Sequence, residues 1–350
     1  MSYIGAETPE VAYGKLDSSN NLSDLISLPK SRANLLVDNL PGFRNKIING
    51  DFDIWQRGTS QTSSGYGSDD RWMNLNIGTT KTASRQSFTL GHTEVPNNPS
   101  YFSRTVVASV AGSGNYAVKS QAIEGVHFLA NKTVTVTFYA KADTNRNIAL
   151  EFYQSFGSGG SPSTSVSIPL GLVSLTSSWK RYSILVTLPS ISGKILGSDS
   201  NHTLILNFWF DAGSTLASRA SNLGQQSGTF DLSHVSVVEG DAQYETDPFS
   251  KRHLGDEIRL CYRYYTKSLN AVTWQGDTIS GATYTTMLYF PVTMRTAPTL
   301  GLTIISVNSF PSSTPTTDDL NADRCRVYLT ANATNQSGFY QFQFTADAEL

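Results

Sequence analysis

The sequence has little charge and no long apolar run, and each of these shortages excludes a class of protein. Charged residues make up 15% of the 350 residues, and the formal net charge is −2. Nucleic-acid binding needs a strong basic footprint, so we expect no nucleic-acid partner. A membrane-spanning helix needs about 18 or more consecutive apolar residues, and no run approaches that length. We therefore expect no membrane insertion.

Cysteine is also scarce. The two cysteines, Cys261 and Cys325, cannot build a disulfide framework, and no cysteine or histidine spacing matches a structural zinc site. The first residues read MSYIGAE and contain neither the basic nor the apolar segment of a signal peptide. We therefore expect synthesis in the cytoplasm without export by the general route.

What the chain does contain is the composition of short strands and turns. Hydrophobic residues make up 39% and aromatic residues 11%, which is enough to build a core. Threonine, tyrosine, phenylalanine, valine and isoleucine are frequent, together with glycine and serine. These residue types favour strands and tight turns over helices. The composition predicts an all-β protein.

Residues 46–245 repeat one pattern, strand after strand. Apolar and polar side chains alternate in residues 134–141, 148–153 and 204–211, with glycine- and serine-rich loops such as residues 157–162 between such segments. This period of two indicates strands with one buried face and one face open to solvent or ligand. Short antiparallel strands over this length predict a β-sandwich of the jelly-roll type.

Three further segments complete the predicted organisation. Leu254, Ile258, Cys261 and Tyr265 follow helical spacing, so a linker helix is expected within residues 246–267. Residues 268–350 return to strands, at 284–290, 324–330 and 339–344, and predict a small C-terminal β-domain. Residues 1–45 contain too few apolar side chains to bury a core of their own. They are interpreted as an N-terminal attachment arm that orders on a partner, the alternative being a flexible leader.

The sequence shows no catalytic pattern. The five histidines include no pair at metal-ligand spacing, and neither a nucleophile elbow nor a phosphate-binding loop is present. Glycoside hydrolysis needs two facing carboxylates, and the candidates are Asp53, Asp69, Asp70, Glu151 and Asp211. Sequence spacing cannot show that any two of them face each other. We predict that the protein is not an enzyme.

The outward faces of the predicted strands carry side chains suited to sugar. Flat aromatic rings stack on the C–H faces of sugars, and neighbouring polar groups bind the hydroxyls. The candidate glycan-binding residues are Tyr139, Tyr153, Asn207 and Trp209. The alternative is that Tyr139 and Trp209 pack under a loop or against another subunit.

Four short stretches carry a resemblance to a known family. Residues 47–58 read IINGDFDIWQRG and residues 69–72 read DDRW, while residues 259–265 read RLCYRYY and residues 344–350 read FTADAEL. These stretches resemble the opening, the linker and the ending of jelly-roll domains in bacteriophage tail-fibre and related virion appendage proteins. Residues 134–142, 179–182 and 230–240 are similar to strands of carbohydrate-binding jelly-roll modules. The resemblance covers roughly residues 46–350.

The resemblance implies a structural component of a phage virion, a tail fibre or an adaptor, that contacts bacterial surface glycan. It implies a homotrimer located in the virion and made in the host cytoplasm, with residues 1–45 binding other phage tail or virion proteins. Two other classes stay open, namely a carbohydrate-binding module of a secreted enzyme and a depolymerase of bacterial surface polysaccharide. A carboxylate pair would favour the depolymerase.

The resemblance also implies a possible ion. Carbohydrate-binding jelly rolls often carry a structural calcium near the first strand, and the matching positions here are Asn49, Asp51, Asp53 and Asp231. Their hard oxygen atoms are the ligands that calcium prefers. The alternative is that Asp51 and Asp53 are turn and surface residues. No other cofactor is expected.

Overall fold

The computed structural model describes residues 44–350. The first eleven strands are β1 (Ser60–Gln61), β2 (Met73–Ile77), β3 (Thr80–Ser87), β4 (Tyr101–Ala108), β5 (Tyr116–Glu124), β6 (Thr133–Ala142), β7 (Arg146–Ser155), β8 (Val166–Leu175), β9 (Lys180–Thr187), β10 (Thr203–Ala212) and β11 (Gly228–Glu239). Within residues 44–350, one α-helix, α1 (Leu254–Tyr262), precedes β12 (Tyr265–Lys267), β13 (Val272–Thr278), β14 (Thr283–Tyr289), β15 (Thr299–Asn308), β16 (Thr316–Asp318), β17 (Arg324–Thr330) and β18 (Asn335–Asp347). A 3₁₀ turn lies at Ser214–Leu216.

The first eleven strands form two antiparallel sheets. The six-stranded sheet has the order β1-β3-β4-β11-β6-β9, and the five-stranded sheet has the order β2-β5-β10-β7-β8. Strands that are distant in sequence, such as β4 and β11, are neighbours in the sheet, as expected for Greek-key connections. The prediction of an all-β protein with a jelly-roll sandwich is confirmed.

The main core lies between these two sheets and is built by the predicted alternation. Val136 and Phe138 of β6, Leu150 of β7 and Leu206 and Phe208 of β10 are fully buried in one cluster. Neighbouring side chains in each strand point the other way, because successive residues of a strand face opposite sides. The sequence therefore determines which face of each strand meets the core.

The outward face of β6 is not open to solvent as expected. Thr135 and Thr137 are both buried, and the chain that follows β11 packs on Thr135. The Thr135 hydroxyl donates to the Gly240 carbonyl at 2.7 Å and accepts from the Ala242 N–H at 2.9 Å. Thr137 is hydrogen-bonded to Ser236 across the sheet at 2.7 Å. Threonine suits this position because its methyl group packs while its hydroxyl is satisfied.

The C-terminal strands form a second, smaller sandwich. Strand β18 pairs with β12 and β13 on one side and with β15 on the other, while β17 lies between β14 and β16. Their core includes Cys325, Val327, Tyr340 and Phe342, so Cys325 is buried as predicted. The helix was predicted to pass through Tyr265, but it ends at Tyr262, and Tyr265 begins β12.

The domain boundaries at residues 45, 245 and 267 stay predictions. The predicted arm, apart from residues 44 and 45, lies outside the described residues. Among residues 44–350, no helix is long and apolar enough to cross a membrane.

Candidate functional site

A groove runs along the outward face of the five-stranded sheet. Its volume is about 190 Å³, and it is lined by Met73, Leu75, Tyr116, Val118, Ser120, Tyr153, Ile205, Asn207, Trp209, Leu216 and Arg219. The central strand β10 supplies the floor, β2 and β5 form one wall and β7 forms the other. The segment after β10 supplies Leu216 and Arg219 at one end. A mostly apolar groove with a few polar groups is typical of a ligand site.

The floor of this groove is organised by the register of β10 with its neighbours. Asn207 lies opposite Ser120 of β5 and Glu151 of β7. Its side-chain oxygen accepts from the Ser120 hydroxyl at 2.6 Å, and its amide nitrogen donates to Glu151 at 2.9 Å. Asn207 is thereby held in one orientation, with part of its surface facing the groove.

Trp209 is not the exposed platform that the alternation suggested. It is only 2% exposed, because Leu216, Ala220 and Leu223 of the segment after β10 pack over it. Tyr116 packs edge-on against it, with ring centroids 5.7 Å apart. The alternative interpretation, packing under a loop, is correct for this residue. Trp209 supports the groove floor more than it offers a stacking face.

Glu151 is the polar centre beneath the groove and is fully buried. Its Oε1 accepts from the Ser167 hydroxyl at 2.6 Å and from Arg219 Nε at 2.8 Å. Its Oε2 accepts from Asn207 at 2.9 Å, Trp209 Nε1 at 3.1 Å and Arg219 Nη2 at 3.0 Å. Five donors therefore occupy both oxygen atoms. This carboxylate orders the groove and has no free oxygen to offer a ligand.

Arg219 is the charged group at the groove surface. Its side chain is 33% exposed, and its guanidinium lies over the rings of Tyr153, 4.5 Å from the centroid, and Trp209, 5.1 Å from the centroid. Stacking on two aromatic faces fixes a planar guanidinium, which lysine could not reproduce. The groove thus has a rigid cationic group at the end where Leu216 lies.

Tyr139 lies apart from the other predicted glycan-binding residues. It belongs to β6 of the six-stranded sheet, where it faces Arg181 of β9 and Ser233 of β11. Its ring packs edge-on against His234 with centroids 5.8 Å apart. The structure therefore brings Tyr153, Asn207 and Trp209 together in one groove and places Tyr139 on the other sheet.

The four residues matched to calcium are not brought together. Both oxygens of Asp231 bind Arg104, at 2.7 and 2.8 Å, and the Asn49 amide donates to the Ile54 and Asp70 carbonyls. The amino group of Lys251 lies 3.3 Å from Asp51 and 3.8 Å from Asp53. Among residues 44–350, no group of three or more acidic, histidine or cysteine side chains could hold a metal ion. A lysine ammonium beside both aspartates does not fit a calcium site.

Asp51 and Asp53 instead belong to a charged cluster around His234. His234 binds Asp51 through Nδ1 at 2.7 Å and Asp247 through Nε2 at 3.0 Å, and it stacks on Phe249 with centroids 3.9 Å apart. Burial opposes its protonation, but the hydrogen bonds to Asp247 and Asp51 outweigh burial and raise the pKa of His234 to about 9. We call His234 with its two aspartates the histidine clamp.

Position 50 has no room for any residue other than glycine. A side chain at Gly50 would place its first carbon 2.2 Å from the Val235 carbonyl oxygen and 2.9 Å from the Phe249 ring. The Val235 N–H also donates to the Gly50 carbonyl at 3.0 Å. The turn at residues 49–50 is thus pressed against β11, which positions Asp51 beside His234.

The stretches that carry the family resemblance meet where the two sandwiches touch. Arg57 binds Asp347 at 3.0 Å and Glu349 at 3.3 Å, and its guanidinium lies 3.7 Å from the centroid of the Tyr265 ring. Arg71 also binds Glu349 and lies 3.4 Å from the centroid of the Tyr264 ring. We call these six residues the joint: Arg57, Arg71, Tyr264, Tyr265, Asp347 and Glu349.

Further polar contacts surround the joint. The Gln56 amide donates to Asp70 at 2.5 Å and to the Tyr265 carbonyl at 3.1 Å. Burial raises the pKa of Asp70 to about 6, although its hydrogen bonds with Gln56 oppose that shift. Glu124 at the end of β5 accepts from Arg263 and from the Tyr264 hydroxyl, each at 2.8 Å. The short motifs therefore connect the jelly roll to the C-terminal sandwich.

The remaining carboxylates considered for catalysis are also engaged. Asp69 forms a fully buried ion pair with Lys119 and accepts from Asn74 at 2.8 Å. Asp211 accepts from Thr79 at 2.5 Å, from Ser109 at 2.9 Å and from the Gln226 N–H at 2.7 Å. Neither Glu151 nor Asp211 lines the groove, so the two are not paired across its open space. The groove shows no facing carboxylate pair.

Sequence reasoning missed Tyr116 and Arg219. Tyr116 opens β5, a strand whose polar residues Lys119, Ser120 and Gln121 interrupt the alternation. Arg219 lies in the irregular segment after β10, which has no periodicity that predicts a position. An available signal was the small apolar set Leu216, Ala220 and Leu223, which indicates a segment folded back on the sheet.

No protein-family model matches the chain, and no curated protein matches it. Solved structures with a similar arrangement include a family 4 carbohydrate-binding module, 17% identical over 55% of this chain and 98% of that one, with a TM-score of 0.30. A module described as TmCBM61 in complex with β-1,4-galactotriose is 12% identical over 56% and 99%, with a TM-score of 0.28. The enzymatically active domain of bacteriophage CBA120 tailspike protein 4 is 12% identical over 56% of this chain and 22% of that one, with a TM-score of 0.32. The chain is thus weakly similar to carbohydrate-binding modules and to a tailspike domain. This similarity concerns the jelly-roll fold alone.

Proposed function

We propose that this protein binds glycan in the groove of the five-stranded sheet, without cleaving it, as a structural part of a phage virion appendage that contacts the bacterial surface. The observation that carries glycan binding is the groove itself. Tyr116 and Tyr153 are half-exposed on either side of β10 and toward opposite ends of the groove, with the fixed amide of Asn207 between them. Aromatic walls around directional polar groups suit a sugar ring.

The size and depth of the groove support a limited contact. A volume of about 190 Å³ is below the roughly 300–1,000 Å³ of sites that enclose drug-sized ligands. Such a groove suits one or two sugar rings at a time. Weak single contacts are strengthened when several copies act together, which is consistent with display on an oligomeric appendage.

Binding without cleavage is supported by the carboxylate at the groove. The two oxygens of the buried Glu151 are occupied by five donors, and no carboxylate is among the residues that line the groove. A retaining glycosidase needs two carboxyl groups about 5 Å apart, and an inverting one needs them about 6.5–9.5 Å apart. This arrangement favours a binding protein over a depolymerase.

The virion role, the homotrimer and attachment through residues 1–45 rest on the sequence resemblance. The joint supports it indirectly, because it gives the resembling stretches a shared structural purpose. A free carbohydrate-binding module would not need the second sandwich of β12–β18 for its groove.

Glycan binding is tested by filling the groove. Ile205 lies on its floor, so Ile205→Trp should abolish binding on an array of bacterial surface glycans. Ile305→Trp is the matched control, because Ile305 is 51% exposed on β15 of the other sandwich, and it should bind like the wild type. Equal binding by both variants would refute the groove assignment. Release of reducing ends from a bound polysaccharide would refute the non-enzymatic role.

The virion role needs a separate measurement. Electron microscopy of particles labelled with antibody against this chain should show density on an appendage. Deletion of residues 1–45 should leave the jelly roll folded by circular dichroism and remove the chain from particles. Normal incorporation of the truncated chain would instead place attachment at the helix Leu254–Tyr262 or at the C-terminal sandwich.

A further inference from the structure

Among the residues that line the groove, Arg219 is the charged one, and it can only donate hydrogen bonds. Glu151 has no free oxygen, so the groove lacks the carboxylate acceptor that would bind the hydroxyl hydrogens of a neutral sugar. Arg219 has five N–H donors, of which one on Nε and one on Nη2 go to Glu151. Three N–H groups, two on Nη1 and one on Nη2, have no bond to Glu151.

These remaining donors have a definite geometry. The Nε–Nη2 edge of the guanidinium faces Glu151, so the Nη1–Nη2 edge is the one left for a ligand. That edge presents two parallel N–H bonds, which match the two oxygens of a carboxylate in a bidentate pair. The rings of Tyr153 and Trp209 hold the guanidinium plane in place, so little conformational entropy is lost on binding.

From this donor geometry we infer that the groove selects acidic sugars, with the carboxylate of a uronic or ulosonic acid bound to the free edge of Arg219. The inference rests on the proposed glycan-binding function and narrows it to one ligand class. The sugar ring lies in the groove beside Tyr153, and its carboxylate points toward Arg219. Neutral sugars fill the same space but leave the arginine donors to water.

The other sheet provides an internal comparison. Arg104 also binds a buried carboxylate, Asp231, through Nε and Nη2, and its side chain is also 33% exposed. Arg104 lies on the six-stranded sheet and does not line the groove, whereas Arg219 does. An exposed arginine–carboxylate pair alone is therefore not a site. The adjoining groove with its aromatic walls makes the difference.

The test compares glycans in matched pairs. Each acidic glycan, such as α-1,4-linked trigalacturonate, sialyllactose or an acidic bacterial capsule, is measured beside its methyl ester or its carboxyl-reduced form. We expect the carboxylated member to bind at least tenfold more tightly, and the difference to shrink in high salt because the charges are screened. A phosphorylated sugar serves as a third arm, and tighter binding of that sugar would overturn the assignment to a carboxylate.

Two variants assign the effect to Arg219. Arg219→Gln should remove the preference for the acidic member, and Arg104→Gln, the matched control, should retain it. Because Arg219→Gln leaves Glu151 charged and buried, the double variant Glu151→Gln/Arg219→Gln is included with a thermal melt of each protein. Neutral members that bind as well as acidic ones, with no change in Arg219→Gln, would overturn this inference and leave glycan binding intact. Binding of no glycan to wild type would instead refute the proposed function.

Discussion

The joint and the groove differ in whether their residues lie in the stretches that resemble phage appendage proteins. The joint is built from short, recognisable stretches, with Arg57 and Arg71 on one side and Tyr264, Tyr265 and Glu349 on the other. Its charges are paired across the two sandwiches, and those of Arg57, Arg71 and Glu349 are buried. The resembling stretches therefore serve to hold the two sandwiches together.

The groove is built from residues outside those stretches. Tyr116, Tyr153, Asn207 and Arg219 come from three strands and one irregular segment, and none lies in a stretch that resembles the phage family. The sequence resemblance at the joint therefore indicates how the two sandwiches are connected. It does not identify a ligand. The residues that carry the sequence resemblance and the residues proposed to bind glycan therefore lie in separate places. The following variants test that separation.

The largest effect on stability is expected at the joint. Glu349→Ala leaves the fully buried guanidinium of Arg71 without its carboxylate, which costs about 3–5 kcal/mol of unfolding free energy. Urea denaturation measures this loss, and groove binding should be unchanged at temperatures where the variant is folded. The control is Asp319→Ala, because its pair with Arg324 is exposed and contributes less than about 1 kcal/mol. Equal stability of both variants would contradict the role of the joint.

The histidine clamp should make stability depend on pH. The pKa of His234 is raised from 6.5 to about 9 in the folded protein, so its contribution is complete below pH 6.5 and is lost as the pH rises to 9. The loss is on the order of 2–3 kcal/mol. His234→Asn, which keeps a residue that tolerates the positive φ of 56°, should remove most of this slope.

Urea denaturation of wild type and variant at pH 6.5 and pH 9 measures the slope. His253→Asn is the control, because His253 is exposed at the start of α1. If His234→Asn keeps the wild-type decline between the two pH values, another group titrates there and the clamp is not its source.

A smaller effect, limited to binding, is expected in the groove. Tyr153→Ala removes one aromatic wall and should weaken glycan binding about tenfold, or about 1.4 kcal/mol, while unfolding free energy changes by less than about 1 kcal/mol. Isothermal titration with an array-positive glycan measures the affinity. Tyr289→Ala is the control, since Tyr289 is 66% exposed on the C-terminal sandwich. If Tyr153→Ala loses stability and keeps its affinity for glycan, Tyr153 stabilises the fold as the joint residues do. That result would contradict its assignment to glycan binding.

Local periodicity predicted much of the fold. The alternation in residues 134–141 and 204–211 identified Phe138 and Phe208 as core residues because a strand has only two faces. The same rule could not say which sheet a strand joins. Tyr139 and Tyr153 both point outward, yet they lie on different sheets, since strand order is set by long-range pairing.

The candidate site could be predicted only in part, for a related reason. The burial of Trp209 depends on a segment without periodicity that folds back over it. The partners of Glu151 include Arg219, which lies 68 residues away in sequence. Similarly, Asp231 was matched to calcium from its position, and its actual partner Arg104 comes from a neighbouring strand. Side-chain pairing across strands follows from topology, which local sequence does not contain.

The smallest effect tests whether every residue of the resembling stretches stabilises the fold. Burial and the nearby Asp51 raise the pKa of Asp53 to about 6, and one of its oxygens lacks a hydrogen-bond partner. A raised carboxyl pKa means that stability falls as the pH rises from about 4 to about 6, because ionisation is disfavoured in the folded state.

Replacing the Asp53 carboxylate by an amide should therefore raise the unfolding free energy above pH 6. Asp53→Asn is expected to gain about 1 kcal/mol at pH 8 and to change little at pH 4, a gain kept small by the lost attraction to Lys251. The matched variant Asp51→Asn should instead lose stability at pH 8, because Asp51 binds His234 in the clamp. Urea denaturation at the two pH values measures both. A loss of stability in Asp53→Asn at pH 8 would show that Asp53, like the joint residues, stabilises the fold through its charge.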